Sequence, residues 1–73
     1  MTLNDISIGD EFVISSINGN GEVHKRLIDM GFVSGATGIV LHKALLGDPI
    51  EVKIGGYRIA IRLSEARNIV LKE

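Results

Sequence analysis

The clearest pattern in the chain is a strict alternation on either side of Gly55-Gly56. Ile50, Val52 and Ile54 alternate with Glu51 and Lys53, and Tyr57, Ile59 and Ile61 alternate with Arg58, Ala60 and Arg62. Successive side chains on a strand point to opposite faces, so each run reads as a half-buried strand. Gly-Gly between them is the composition of a two-residue hairpin turn. A turn of that length sets Ile54 opposite Tyr57, Val52 opposite Ile59 and Ile50 opposite Ile61, all on one face. Pro49 has no N–H to give to a ladder, so the strand begins at or just after it.

Residues 11–17 follow the turn signal Gly9-Asp10 and predict a first strand. Its apolar positions do not keep to one face, because Phe12 and Ile14 alternate but so do Val13 and Ile17. A curved or bulged strand of a small barrel uses both sets. Asn18-Gly19-Asn20-Gly21 is a turn. Val23, Leu27 and Met30 then fall on one face of a short helix, with Ile28 widening the stripe and His24, Lys25 and Asp29 lying off it. Gly31 stands where a left-handed cap ends a helix. So short a helix must be held by packing.

Residues 37–45 predict a second long strand, Ser64 can cap a single helical turn through Arg67, and residues 69–72 predict a last short strand. The fold class is therefore mainly β. The architecture is a small closed SH3-like β-barrel of about five strands, with one short α-helix after the first strand and a one-turn helix before the last. Residues 1–73 form a single domain with no internal repeat, low-complexity tract or linker.

Composition narrows the function. Apolar residues make up 45% of the 73, enough for a core at a size where a core only just outweighs chain entropy. There is no cysteine, so no disulfide, thiolate nucleophile or sulfur-ligated metal is available. Eight Lys/Arg against nine Asp/Glu give a net charge of −1, which argues against a generic attraction to nucleic acid or an anionic membrane. No segment approaches the ~20 apolar residues of a membrane-spanning helix, and the first residues lack the basic and apolar regions of a signal peptide. A cytoplasmic location is expected.

Reactive constellations are sparse. Gly19-x-Gly21 before a helix is a fragment of a dinucleotide fingerprint, but His24 occupies the third glycine position, and no phosphate-loop motif exists. Glu22 already places a negative charge at the helix start, which favours a plain turn and cap over an anion site. His24 and His42 are the only imidazoles and lack partners at ligand spacing. They are weak candidates for Fe2+ or another divalent metal, with Asp29 or Glu51 supplying oxygen, and two solvated histidines are the plainer reading. No cofactor is otherwise expected. Ser15, Ser16, Ser34 and Ser64 read as strand or turn residues, so no nucleophile and base can be assembled and the chain is read as non-enzymatic.

Two surface features suit protein contact. Lys53, Arg58 and Arg62 form a basic face on the hairpin, with Lys43 and Arg67 as neighbours, and Lys53 opposite Arg58 is a like-charge pair that only solvent screening makes tolerable. Ala44, Leu45 and Leu46 are the one apolar stretch at a turn. These leucines either project as a docking knob or cover the open end of the barrel. Phe12 and Phe32 read as core and Tyr57 flanks the turn, so base-stacking aromatics are nearly absent.

Across most of its length the chain resembles the FeoA family of bacterial ferrous iron uptake. The resemblance rests on Leu3 and Gly9, Arg26-Leu27 and Met30-Gly31, Gly35, and Gly47-Asp48-Pro49-Ile50. It continues through Ile59-Ala60-Ile61-Arg62, Glu65-Ala66 and Ile69-Val70. It implies an SH3-like barrel acting as a regulator or adaptor of the membrane ferrous iron permease that carries a cytosolic GTPase domain, peripheral to the inner face of the membrane through that partner. On the residues themselves, the surface expected to meet that partner is the helix with Lys25 and Asp29, the loop of Ala44, Leu45 and Leu46, and the basic hairpin. Ser34 and Leu45 stand where the family commonly has proline, and each leaves a free N–H. The alternative is a metal-sensing module similar to the C-terminal domain of iron-dependent repressors. The lack of a helix-turn-helix and the near-neutral charge argue against direct DNA binding.

Overall fold

The computed structural model describes residues 1–73, in five strands and two helices. Strand β1 is Glu11–Ile17, β2 Thr37–Lys43, β3 Ile50–Ile54, β4 Tyr57–Ile61 and β5 Ile69–Leu71. Helix α1 is Gly21–Asp29 and α2 is Leu63–Ala66. The strands make one antiparallel sheet in the order β4-β3-β2-β1-β5. The hairpin has the register that Gly55-Gly56 demands, with Ile54 opposite Tyr57, Val52 opposite Ile59 and Ile50 opposite Ile61. Ile50, Val52, Ile54 and Ile61 are buried, Ile59 is half-buried, and Tyr57 at the turn end is 71% exposed.

The sheet curls without closing. A closed barrel was the expectation, yet β4 and β5 stand at opposite edges of the order and are not hydrogen-bonded to each other. α2 occupies the connection between them. Curvature comes from two irregularities, one in β1 between Ile14 and Ser16 and one in β2 between Val40 and His42. The first lets β1 bury Phe12 and Ile14 while keeping Val13 and Ile17 half-buried, the mixed pattern its sequence carries. Gly38 is required at the β1–β3 crossing, because a Cβ there would lie 2.5 Å from Phe12 Cζ and 2.7 Å from the Lys53 carbonyl oxygen.

Fourteen buried hydrophobic residues form one core, from Leu3 and Ile6 to Ile69 and Leu71. Leu3 reaches it from a 3-10 turn, Leu3–Asp5, that has no sequence counterpart above. Phe32 is fully buried, and Met30 packs half-buried against the cluster.

Three boundaries differ from expectation. β2 ends at Lys43, and Leu45 begins a 3-10 turn, Leu45–Gly47, because the Ala44 N–H turns to the Pro49 carbonyl at 3.0 Å and closes the loop. α2 is capped by Arg62, not Ser64. The Glu65 carboxylate folds back onto the Arg62 N–H at 3.0 Å, which satisfies a helix-start donor without a serine. β5 stops at Leu71, and the Lys72 N–H still donates to the Val13 carbonyl at 2.8 Å.

In α1, the stripe of Val23, Leu27, Ile28 and Met30 buries only Leu27. Val23 is 47% exposed and Ile28 41% exposed, so the helix lies over the rim of the core instead of across it. Gly31 ends the helix at φ 103°, where the Phe32 N–H returns to the Leu27 carbonyl at 3.0 Å. That turn swings Phe32 into the core.

Candidate docking surface

The loop between β2 and β3 is built outward. Gly47 N–H donates to the Ala44 carbonyl at 2.8 Å, and Leu46 takes a left-handed conformation at φ 66°. Leucine rarely adopts this conformation, because Cβ crowds the carbonyl. The result aims Leu45 and Leu46 into solvent, 88% and 92% exposed, with Ala44 half-buried beneath them. Of the two sequence readings, the projecting knob is the one the structure adopts; these leucines do not cover the barrel's open end.

The base of the loop is anchored. Asp48 Oδ1 accepts the Leu63 N–H at 3.0 Å and lies 3.9 Å from the Arg62 guanidinium, which joins the loop to the start of α2. Asp48-Pro49 is a cis peptide. An exposed apolar tip on a fixed base is what a contact surface needs, since less chain entropy is lost on docking.

The basic hairpin is less purely basic than its sequence suggests. Lys53 and Arg58 are opposite each other, as the turn requires. Arg58 reaches Glu51 at 3.3 Å, and Arg62 pairs loosely with Asp48. These exposed pairs contribute little to stability. Lys53 makes no ion pair. Lys43 continues this region on β2 opposite Ile50, while Arg67 lies beyond it at the end of α2.

On α1, Lys25 is exposed, and Asp29 stands at the rim of a groove of about 350 Å³ floored by Met30, Ala36 and Ile54 with Tyr57 at its side. The helix is tied to α2 by an ion pair between Arg26 and Glu65 that no spacing in the sequence announces. Both residues belong to segments that carry the family resemblance, and this was the only signal available.

The histidines are held apart. His24 donates its Nδ1–H to the Gly19 carbonyl at 2.8 Å, so the glycine turn is used to fix a side chain. His42 is exposed on β2, opposite Glu51. No three His, Cys, Asp or Glu side chains converge, so the donors present do not make up the three or four ligands of a protein metal site. No helix is long and apolar enough to cross a membrane.

Comparison with known proteins places these features in a family. The model for the FeoA domain matches residues 1–73. The chain is 38% identical over 69 residues to the Fe(2+) transport protein A/Fe(2+) transporter FeoB fusion protein of Porphyromonas gingivalis, covering 94% of this chain but 8% of that one. The solution structure of iron(II) transport protein A from Clostridium thermocellum superposes with a TM-score of 0.92 at 38% identity, over 99% of this chain and 44% of that one. The Stenotrophomonas maltophilia FeoA crystallised with zinc, described as a procaryotic SH3 domain protein, gives 0.87 at 32% identity over 99% and 89%. A manganese-dependent transcriptional repressor also superposes, at 0.84, but its 17% identity speaks of the fold alone. With the SH3-like sheet and the whole-length match in agreement, the chain belongs to the FeoA family.

Proposed function

We propose that this chain is a non-enzymatic accessory protein of ferrous iron uptake that acts by contact with the membrane ferrous iron permease. The observation that carries the reading is the Porphyromonas gingivalis relative, in which a segment like this one and the Fe(2+) transporter FeoB share one polypeptide. Fusion raises the effective concentration of one module at the other, which is of use only where the two meet. The Stenotrophomonas maltophilia structure is described as that of a candidate ferrous iron transport activating factor, which supports the same assignment.

The docking surface is the pair Leu45 and Leu46, helped by the hairpin cations. Fully burying each leucine at an interface removes apolar surface worth about 1.5–3 kcal/mol. Lys53, Arg58 and Arg62 add less to affinity than to steering, since they are solvated and partly neutralised by Glu51 and Asp48. The chain then works at the inner face of the membrane, held there by its partner. Fold likeness to the manganese-dependent repressor, at 17% identity, gives the metal-sensing alternative no residue-level support.

Titration of the chain against the cytosolic domains of the permease, with and without guanine nucleotide, tests this. Saturable binding in at least one nucleotide state is expected. Heat or shift changes indistinguishable from dilution in every state would contradict it.

A further inference from the structure

The two edges of the sheet are treated differently. At β5 the outer edge is covered by the N-terminus, through a Thr2–Val70 bridge and a Leu71 N–H donated to the Met1 carbonyl at 2.9 Å. At β4 nothing covers it. No backbone group of residues 57–61 is bonded outside the β3 ladder.

Which groups are free follows from the register. Antiparallel partners alternate between bonded and non-bonded pairs, and a two-residue turn makes Ile54 and Tyr57 a bonded pair. Val52–Ile59 and Ile50–Ile61 are then bonded, so the N–H and C=O of Arg58 and Ala60 point away from β3. The same parity runs through the sheet, since Val40 bonds towards β1, its N–H to the Asp10 carbonyl at 3.0 Å. Exposed edges are blunted by short length, charged side chains, proline, a bulge or a covering segment. Strand β4 is five residues long and carries Arg58 with Arg62 beyond it, charges that turn away a like strand but not an acidic one. β4 has no proline, and its register with β3 is unbroken.

The two faces beside this edge differ in chemistry. On the core side, Ile59 is half-buried and Tyr57 exposed, and Tyr57 leads into the apolar groove floored by Met30, Ala36 and Ile54. On the outer side stand Lys53, Arg58 and Arg62, with only Glu51 and Asp48 to balance them and Lys53 unpaired. A second copy of β4 would set Arg58 and Arg62 against the same charges, which is unfavourable.

We propose that the free edge of β4 is a strand-addition site for an extended segment whose apolar residues alternate with acidic ones. Its backbone pairs with Arg58 and Ala60, its apolar side chains lie beside Tyr57 and Ile59, and its carboxylates stand on the face of Arg58 and Arg62. This deepens the reading of the chain as a contact module but does not depend on the permease as partner. A free peptide therefore tests it separately from permease binding.

The test is an NMR titration of the whole chain with the capped peptide Val-Glu-Val-Glu-Val, with Val-Lys-Val-Lys-Val as comparison. The acidic peptide is expected to shift the Arg58 and Ala60 amides and slow their hydrogen exchange, and the basic one is not. Ala60→Pro removes an outward N–H without touching the β3 ladder and should weaken binding about tenfold. Arg58→Glu should lose the preference for the acidic peptide while leaving the fold unchanged. Shifts that spare Arg58 and Ala60, or equal binding of both peptides, would overturn the proposal. So would the same two amides becoming protected with rising protein concentration and no peptide, which would give the edge to a second copy.

Discussion

Arg26 of α1 and Glu65 of α2 form an ion pair between residues 39 apart in sequence. The Glu65 side chain is 10% exposed and that of Arg26 is 49% exposed, so the carboxylate is the buried member. Glu65 also accepts the Arg62 N–H, so one side chain caps α2 and fastens α1 to it. Because α1 buries only Leu27, this pair is a main hold on the helix. Glu65→Ala should cost roughly 1–2 kcal/mol, less than a fully buried pair, because Arg26 stays half in water. Denaturant unfolding of Arg26→Ala, Glu65→Ala and the double variant measures it, with a clear coupling energy expected between the two sites.

Gly38 permits the close crossing of Phe12 and the Lys53 carbonyl. Gly38→Ala should destabilise the fold by about 1–3 kcal/mol through overpacking. Gly56, where an added Cβ would meet nothing within 4 Å, serves as the control. Thermal melting of the two alanine variants should separate them clearly.

Much of this was legible in the sequence. Alternation about Gly55-Gly56 sufficed for β3, β4 and their register, because a two-residue turn leaves one pairing that buries the isoleucines. The helix was legible but its burial was not. Periodicity says which side chains share a face, while the distance of that face from the core depends on how Gly31 turns Phe32 inward. Closure of the sheet is not legible, since nothing local to β4 or β5 encodes whether their edges meet, and they stand at opposite edges. In the loop between β2 and β3, Leu45 and Leu46 stand out by composition, but their outward aim depends on the left-handed Leu46 and the Ala44–Pro49 bond. The Glu51 and Asp48 partners of the hairpin cations are not legible either, because such pairing follows from register and rotamer together.

Leu46 carries backbone strain at φ 66° while 92% exposed, so its side chain does little for the fold. Leu46→Asn should therefore raise stability by about 0.5–1 kcal/mol, since asparagine tolerates this conformation. The same variant should weaken permease binding. Opposite signs in denaturant midpoint and in binding affinity are the expected outcome, and a variant that loses both would move Leu46 from contact to scaffold.

Asp5 gives a defined acid dependence. The Thr2 N–H, 2.8 Å from Oδ2, holds its carboxyl below the ordinary 3.8. Slight desolvation opposes this, and the Thr2 hydroxyl, the N-terminal ammonium and Lys43 assist it. A carboxyl depressed in the folded state stabilises the fold above its unfolded value and loses that contribution as pH falls through the folded one. Asp5→Asn should thus lower stability at about pH 6 and converge with the parent near about pH 2 in denaturant melts.

The most direct measurement is uptake of isotopic ferrous iron by cells that carry the permease, with this chain deleted and then restored. Uptake should fall on deletion, return with the parent chain, and stay low with Leu45→Ser/Leu46→Ser despite normal folding. Unchanged uptake in the absence of the chain would contradict its role in iron entry.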